Sequence, residues 1–268
     1  MSVILPDESC TTMELHFYKY QALLNDYILI ENPEMLNPEL IKTLCNRRSG
    51  IGADGILGVT TTSGLDMRIY NSDGSEALMC GNGLRCTIYH LFRRNIMPLN
   101  KTIDLMTASG VRGGRIISEI DENSAVVEGY LEKPILSGSI TRHNRDFTIV
   151  NTGNPHCITF VEENEDIKEL ALALGPDIET SVEGGINVSF ARVSGDEIHL
   201  AVWERGAGFT MACGTGAVAT SFAARSKELI FVDRIKVVQA GGSAIVTHGN
   251  ITLLEGSAHC VFEGTIKL

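Results

Sequence analysis

The sequence lacks clustered basic residues, long apolar runs and a dense set of cysteines. Its 268 residues carry a net charge of −11 without a run of lysine or arginine. Because phosphate binding needs clustered positive charge, we expect no nucleic acid partner. No apolar run approaches the ~18 residues of a membrane helix, and residues 1–13 lack the positive start and apolar core of a signal peptide. We therefore expect a cytoplasmic protein without a membrane partner.

Seven cysteines are scattered along the chain, at positions 10, 45, 80, 86, 157, 213 and 260. This spacing differs from the disulfide framework of a small secreted domain, so we expect free thiols in a reducing compartment. Cys80, Cys86 and His90 match none of the usual zinc spacings, and we predict no metal site.

Two of these cysteines stand in matching phrases about half the chain apart. The phrases are Met79-Cys80-Gly81-Asn82-Gly83 and Ala212-Cys213-Gly214-Thr215-Gly216, and each precedes a segment with helical spacing of apolar residues. A polar residue stands nine positions before each cysteine, Asn71 before the first and Glu204 before the second. This pattern predicts a duplicated domain that supplies one thiol per half. Two opposed thiols can remove a proton from one face of a carbon and return one to the other.

The glycine-rich start of each predicted helix indicates a second property, an anion site. Unpaired backbone N–H groups and the positive end of the helix dipole lower a thiol pKa and attract a substrate carboxylate. Glycine lets the backbone approach a ligand closely. We expect His156 and Glu204, as charged neighbours, to hold one thiol protonated and the other ionised.

The remaining sequence consists mainly of segments typical of strands and turns. Runs rich in Val, Ile and Thr are divided by Gly, Asn and Asp, as at 27–30, 65–70, 125–131, 198–203 and 245–254. Helices are predicted over 37–47, 83–94 and 216–229. The fold class is therefore α+β, in two halves of mainly antiparallel strands with one main helix each. We expect an extension at 1–12, halves at 13–133 and 134–258, and a final strand at 259–268 that packs back on the first half.

Two local features bear on this division and on cofactor binding. Pro134 and Ser137-Gly138-Ser139 interrupt the strand pattern and mark the expected boundary. Gly50-Ile51-Gly52-Ala53-Asp54-Gly55 matches the dinucleotide-binding pattern G-x-G-x-x-G letter for letter. That fingerprint requires a strand before it and a helix after it. Here the order is reversed, which predicts a turn or a substrate-side loop.

Together these residues resemble the diaminopimelate epimerase family, whose members act without a cofactor. The resemblance covers nearly the whole chain, and its most specific part is the asparagine-to-cysteine phrase at 71–83. The matching segments are Asn25-Asp26, Gly50 to Asp54, Asn71 to Glu76, Cys80 to Cys86, Gly153 to Cys157, Asn187-Val188, Glu204-Arg205-Gly206 and Cys213 to Gly216.

The resemblance implies two pseudo-symmetric domains, each a set of strands wrapped around a central helix, with the site between them. It implies that Cys80 and Cys213 form the acid/base pair and that His156 and Glu204 tune the thiols. The amides at Gly81-Asn82 and Gly214-Thr215 would bind the reacting carboxylate. The remaining substrate contacts would be Asn25, Asn71, Asn154, Asn187 and Glu204-Arg205. The family also implies homodimers and diaminopimelate as the substrate, in lysine and peptidoglycan precursor synthesis.

The chain departs from the family pattern in three places. The usual glycines around Asn25 are replaced in Ala22-Leu23-Leu24, Gly55 stands where a glutamine is usual, and Phe209 stands at or beside the place of a usual glutamate. These changes leave the thiol chemistry intact and affect the fit to the usual substrate.

Other functions remain open at the level of sequence. A broader amino acid racemase, acting for instance on glutamate, is compatible with the changes at Ala22, Leu24 and Gly55. A proline racemase or hydroxyproline epimerase would keep the thiol pair, but the Asn and Glu-Arg set suits a longer diamino dicarboxylate. A redox-sensing or amino acid-binding protein could instead use the two thiols as a reversible disulfide.

Overall fold

The computed structural model describes residues 14–62 and 64–268, so the expected extension at 1–12 lies outside the described residues. Within these ranges no helix is long and apolar enough to cross a bilayer. The helices are α1 (Pro38–Cys45), α2 (Gly81–Arg93), α3 (Ile167–Thr180) and α4 (Gly214–Ser226). The strands before residue 134 are β1 (Glu14–Ala22), β2 (Asn25–Glu31), β3 (Gly55–Thr60), β4 (Asp66–Asn71), β5 (Glu76–Ala77), β6 (Ile103–Thr107), β7 (Gly110–Asp121) and β8 (Ser124–Leu131). The later strands are β9 (Ile135–Arg142), β10 (Arg145–Asn151), β11 (Pro155–Phe160), β12 (Asn187–Ser194), β13 (Glu197–Glu204), β14 (Gly208–Thr210), β15 (Arg234–Gln239), β16 (Gly242–Thr247) and β17 (Thr252–Lys267).

The order of strand pairing is the same in the two parts of the chain. From β1 to β8 the pairs β1–β2, β3–β4, β6–β7 and β7–β8 are antiparallel, whereas β2–β3 and β4–β6 are parallel. From β10 onward the pairs β10–β11, β12–β13, β15–β16 and β16–β17 are antiparallel, whereas β11–β12 and β13–β15 are parallel. The two domains are therefore pseudo-symmetric, and the predicted α+β class is confirmed.

Helices α2 and α4 occupy the centres of the two domains. Residues 81–91 of α2 are buried without interruption, because β1, β7, β8 and β17 surround the helix. Helix α4 packs against β10 to β13 and β16 and is built largely from small residues, which let the strands approach it closely. A helix enclosed in this way has a fixed start, and that start is where each special cysteine lies.

The last strand joins the two domains. Strand β17 begins at Thr252, earlier than the expected 259, and pairs with β16 and β8 along its first part. Its last part pairs with β1, from His259 opposite Gln21 to Lys267 opposite Glu14. One continuous strand therefore contributes to both sets of strands.

Some local predictions were wrong. Ser137 to Ser139 does not interrupt the strands but lies inside β9, where Gly138 has a φ of +112° beside a register shift. The strand expected over 245–254 is split, because residues 248–251 form a turn between β16 and β17. Gly50 to Gly55, in contrast, follows α1 and leads into β3, in the reversed order that argues against a dinucleotide site.

Candidate active site

Each of the two special cysteines caps a helix. Cys80 is the N-cap of α2 and Cys213 the N-cap of α4, and both have extended backbone angles. The Cys80 Sγ accepts a hydrogen bond from the Gly83 N–H at 3.5 Å, and the Cys213 Sγ accepts one from the Gly216 N–H at 3.3 Å. The matching sequence phrases thus fold into matching caps, with each sulfur at the positive end of a helix.

The N-termini of the two helices touch. A Cβ built on Gly214 would lie 3.3 Å from the Gly81 Cα and 3.7 Å from the Asn82 N. The Asn82 side chain also crosses the junction, where its Nδ2 donates to the Ala212 carbonyl at 3.2 Å. Glycine at both positions therefore brings the backbones together, and the free amide groups of two helix starts converge on one place.

A chain of polar side chains surrounds Cys213. Its thiol donates to Glu204 Oε2 at 3.2 Å, and the Thr210 hydroxyl donates to the other oxygen of that carboxylate at 2.5 Å. The Thr215 hydroxyl lies 3.4 Å from the Cys213 Sγ. The Cys213 N–H donates to the Gln239 side chain at 2.8 Å. Burial is the largest influence on the Glu204 carboxyl and raises its pKa.

His156 extends this chain from the other side of Thr215. Its Nε2 lies 3.1 Å from the Thr215 Oγ1 and 3.2 Å from the Asn154 Oδ1. Burial, assisted by the charge of Arg205, lowers the pKa of His156 to about 3. The imidazole is therefore neutral at physiological pH, which corrects the expectation of a charged neighbour. Any influence of His156 on Cys213 passes through hydrogen bonds.

The surroundings of Cys80 are different. The Tyr27 hydroxyl lies 3.0 Å from the Cys80 Sγ. Next to it, the Asn82 Nδ2 donates to the Asn25 Oδ1 at 3.1 Å, and the Asn25 Nδ2 donates to Asp54 Oδ2 at 3.3 Å. This network fixes the orientation of both asparagine amides at the start of α2.

Burial dominates the acidity of the two thiols. The helix amides lower both pKa values, but the loss of water around the sulfurs is the larger effect, so the pKa of Cys80 is raised and that of Cys213 is raised well above 9.0. Glu204 adds to the increase at Cys213 through its negative charge. The lowered thiol pKa expected from the helix starts alone is therefore not found.

The other predicted residues lie around this centre. The Asn187 Oδ1 accepts from the Arg205 N–H at 3.0 Å, and its Nδ2 donates to the Pro155 carbonyl at 2.8 Å, which links both residues to the His156 strand. The Arg205 guanidinium is exposed and donates to the Gly184 carbonyl. Asn71 is the least integrated: it ends β4 opposite Gly55, and its side chain donates to Ser75 at 3.0 Å.

Sequence reasoning missed several residues that the fold brings to the thiols. Asp54 is the last residue of the matching segment Gly50 to Asp54 and Tyr27 directly follows Asn25-Asp26, so these segments were a signal for both residues. Arg85, which donates to the Asn82 Oδ1 at 2.7 Å, lies inside the matching segment Cys80 to Cys86 and is fully buried. Gln239 comes from β15, far along the chain from Cys213, and nothing in the local sequence marks it.

The departures from the family pattern also have structural settings. A Cβ on Gly55 would lie 2.4 Å from the Tyr70 carbonyl oxygen, so a glutamine does not fit this backbone. Leu23 and Leu24 form the two-residue turn between β1 and β2, both with positive φ. Phe209 of β14 pairs with Trp203 of β13, and the Lys168 ammonium lies 5.8 Å from the centre of the Phe209 ring.

A metal site would need several His, Cys, Asp or Glu side chains close together. Within residues 14–62 and 64–268 no group of three or more His, Cys, Asp or Glu side chains is arranged to hold a metal ion. His90 instead lies 3.1 Å from the Tyr20 hydroxyl and 3.0 Å from Glu31 Oε1, and Cys86 is buried in the core.

Two solved structures of other proteins have the same fold as this chain. A hydroxyproline epimerase from Agrobacterium vitis has the same fold with a TM-score of 0.75 at 12% identity, over 95% of this chain and 91% of the other. A PhzF-family phenazine biosynthesis protein from Bacillus anthracis has a TM-score of 0.70 at 15% identity, over 96% and 100% of the two chains.

The sequence relatives are more specific. A diaminopimelate epimerase from Picosynechococcus is 37% identical over 96% of this chain and 100% of its own. Another from Synechococcus is 38% identical over 80% of this chain and 84% of its own. The family model for diaminopimelate epimerase matches residues 17–131 and 148–261, which hold one capping cysteine each. The chain belongs to the diaminopimelate epimerase family.

Proposed function

We propose that this protein interconverts LL- and meso-diaminopimelate by two-base proton transfer, with Cys80 and Cys213 as the acid/base pair. The observation that carries the proposal is that each thiol caps one of two helices whose N-termini touch at Gly81 and Gly214. A single carboxylate can then receive N–H groups from both domains while each domain contributes one thiol. The product would serve lysine and peptidoglycan precursor synthesis.

The proton transfer balances between the two thiols. One cysteine, as thiolate, takes the α-hydrogen: an S–H bond forms, the C–H bond breaks, and the electron pair passes into the carboxylate. The other cysteine, as thiol, gives its proton to the opposite face of the same carbon and becomes the thiolate. The amides at Gly81-Asn82 and Gly214-Thr215 would donate to the carboxylate as negative charge develops on it, and this stabilises the transition state. The reaction written in this way needs no cofactor.

The surrounding polar residues would recognise the rest of the substrate. Asn25, which is joined to Asn82, lies next to the first helix start. Asn154 and Asn187 lie beside His156, and the exposed Arg205 guanidinium suits the distal carboxylate. We assign Asn71 and Glu204 to the same set, and we assign His156 and Glu204 to the tuning of the thiols.

The proposal extends to the context in which the enzyme works. Proton transfer requires reduced thiols, which favours a cytoplasmic location. We propose a homodimer whose protomers are divided into halves at 13–133 and 134–258, without nucleic acid or membrane partners.

Exchange of the α-hydrogen in D2O tests the function directly. Reduced protein is incubated with LL- or meso-diaminopimelate, and the α-hydrogen is followed by NMR together with the stereochemistry of the product. We expect deuterium to enter with inversion. Cys80→Ser and Cys213→Ser should each abolish inversion, whereas Cys260→Ser, which changes a cysteine outside the site, should retain it. Near-normal turnover in either site variant would exclude the two-base reaction.

The same assay separates the alternatives. Inversion of L-glutamate at a comparable rate would make the protein a broader racemase. Binding of diaminopimelate without exchange, in protein whose thiols are shown to be reduced, would favour an amino acid-binding or redox role.

A further inference from the structure

Tyr27 is buried beside Cys80. It lies in β2, opposite Tyr20 of β1 and Gly55 of β3, and only 5% of it is exposed. Its hydroxyl lies 3.0 Å from the Cys80 Sγ. A buried hydroxyl is costly unless it is hydrogen-bonded, and this sulfur is the partner that the structure gives it.

The two sulfurs have different hydrogen-bonding partners. Cys213 donates to a carboxylate, Glu204, at 3.2 Å, and an acceptor in this position favours the protonated thiol. Each sulfur also meets a backbone N–H and a hydroxyl, from Gly83 and Tyr27 at Cys80 and from Gly216 and Thr215 at Cys213. The hydroxyl lies closer at Cys80, at 3.0 Å against 3.4 Å, and the carboxylate contact is at Cys213. A backbone N–H and a hydroxyl can both donate to a thiolate. The asymmetry therefore favours the ionised form at Cys80 and the protonated form at Cys213.

We infer that Tyr27 is a positioning residue for Cys80: its hydroxyl donates to the thiolate, so that Cys80 ionises before Cys213 and Cys213 remains the protonated partner. The inference deepens the proposed proton transfer, because it states which cysteine is the base before substrate binds. In that state the hydroxyl also aligns the sulfur between β2 and the start of α2. After each turnover that leaves Cys213 as the thiolate, the same bond favours the return of the negative charge to Cys80.

The acid–base properties of Tyr27 agree with its role as a donor to Cys80. Burial raises the pKa of Tyr27 well above 10.0, so its hydroxyl stays protonated over the working pH range. Burial is the largest influence on the pKa of Cys80 and raises it, and the Glu204 carboxylate of β13 adds to the increase. The Arg85 guanidinium, in the helix that Cys80 caps, favours the thiolate. The Cys86 thiol, also in α2, is neutral because burial raises its pKa.

Tyr27→Phe removes the hydroxyl and leaves the ring. The reactivity of each cysteine toward iodoacetamide is measured from pH 6 to pH 11, and the alkylated peptides that contain Cys80 and Cys213 are quantified by mass spectrometry. In the unchanged protein we expect the midpoint for Cys80 to lie below that for Cys213. In Tyr27→Phe the midpoint for Cys80 should rise by about one pH unit, since a hydrogen bond to a charged group is lost. The midpoint for Cys213 should remain within a few tenths of a unit.

Tyr70→Phe is the matched control, because it removes a tyrosine hydroxyl from β4, a strand of the same domain, at a site that does not contact either thiol. It should leave both midpoints in place. The result is judged from the pH midpoints of alkylation and not from the alkylation rates, because Cys80 is more accessible than Cys213. An unchanged Cys80 midpoint in Tyr27→Phe, or equal shifts at both cysteines, would overturn the inference. If Tyr27→Phe does not fold, a higher midpoint for Cys80 than for Cys213 in the unchanged protein would overturn it.

A second readout connects the inference to turnover. In Tyr27→Phe the low-pH limb of the kcat/KM profile for diaminopimelate should shift to higher pH, in step with the Cys80 midpoint. Alkylation does not require turnover, so the two ideas fail separately. Absence of α-hydrogen exchange in the unchanged protein would contradict the proposed function, while the order of the midpoints would still decide the role of Tyr27.

Discussion

The Cys213 thiol and the Glu204 carboxylate form a hydrogen bond of 3.2 Å, although the two residues belong to different elements. Glu204 ends β13 and Cys213 caps α4, so the short β14 hairpin between them folds the carboxylate back onto the sulfur. The Thr210 hydroxyl, from β14 itself, holds the second carboxylate oxygen. This arrangement gives the Cys213 proton a defined acceptor before it is transferred.

Glu204→Gln should therefore impair proton transfer at Cys213. The amide keeps the size of the side chain and can still accept from Thr210, but it presents an N–H₂ group to the sulfur and carries no charge. Loss of a positioned acid–base partner typically costs 100-fold or more, and we expect at least that loss in kcat. The measurement is α-hydrogen exchange in D2O. Glu197→Gln, which breaks only the pair with Lys236, is the control and should retain full activity.

An unchanged kcat in Glu204→Gln would show that the carboxylate is structural. In that case the thermal midpoint should fall while exchange continues at the normal rate.

Gly55→Ala should destabilise the fold. The added Cβ would lie 2.4 Å from the Tyr70 carbonyl oxygen, which belongs to backbone and cannot rotate away. Strands β3 and β4 would have to separate, and overpacking of this kind costs about 1–3 kcal/mol. Thermal denaturation should show a Tm lower by several degrees, with reduced activity because Asp54 adjoins the displaced strand.

Gly249→Ala is the comparison for Gly55→Ala, since the nearest atom to its Cβ would be the Ile251 carbonyl oxygen at an ordinary 3.6 Å. Its Tm should be nearly unchanged. Equal Tm values for the two variants would contradict the packing explanation, and the absence of the family's usual glutamine at 55 would then have no steric cause.

The features that the sequence predicted are those that depend on short stretches of chain. A cysteine followed by two glycines caps a helix through contacts within three residues, so both caps were visible before the fold was known. Contacts such as that of Tyr27 with Cys80 depend on strand pairing and have no local signal. The charged state expected for His156 was wrong because burial, which composition does not report, lowers its pKa to about 3.

Helix α3 shows how a local signal can mislead. Asp166 caps this helix and Glu169 stands three residues later, which is a recognised start signal. Gly175-Pro176 nevertheless reads as a helix breaker, and no helix was predicted there. In the structure the helix continues through both residues, and Gly175 is needed because a Cβ would lie 2.5 Å from the Trp203 side chain. Tertiary packing outweighs local propensity at this point.

Leu24→Gly should stabilise the protein. Leu23 and Leu24 have φ values of 53° and 65°, in the two-residue turn where a glycine is usually preferred. The left-handed conformation costs roughly 1–2 kcal/mol for a residue with a Cβ, and the greater freedom of glycine in the unfolded chain offsets part of that gain. Leu24 is 55% exposed, so little packing is lost. We expect a net gain of about 0.5–1 kcal/mol in the free energy of unfolding, measured by urea denaturation.

Leu99→Gly is the control for the turn. Leu99 is similarly exposed, at 42%, and is not among the residues with positive φ. Glycine there should be neutral or destabilising. A loss of stability in Leu24→Gly comparable with that in Leu99→Gly would contradict the strain assigned to the turn.

Buried histidines should make the protein sensitive to acid. Burial lowers the pKa of His248 to about 4, whereas a histidine in the unfolded chain titrates near 6.5. Between these values the unfolded chain binds the extra proton, so the free energy of unfolding falls as the pH is lowered from 7 to 4. His248→Gln, whose amide can still bond to Ser221, should reduce the difference in Tm between pH 8 and pH 5, corresponding to roughly 1–2 kcal/mol. The same change at the exposed His16 should leave that difference unaltered, and equal effects at the two positions would contradict the assignment to burial.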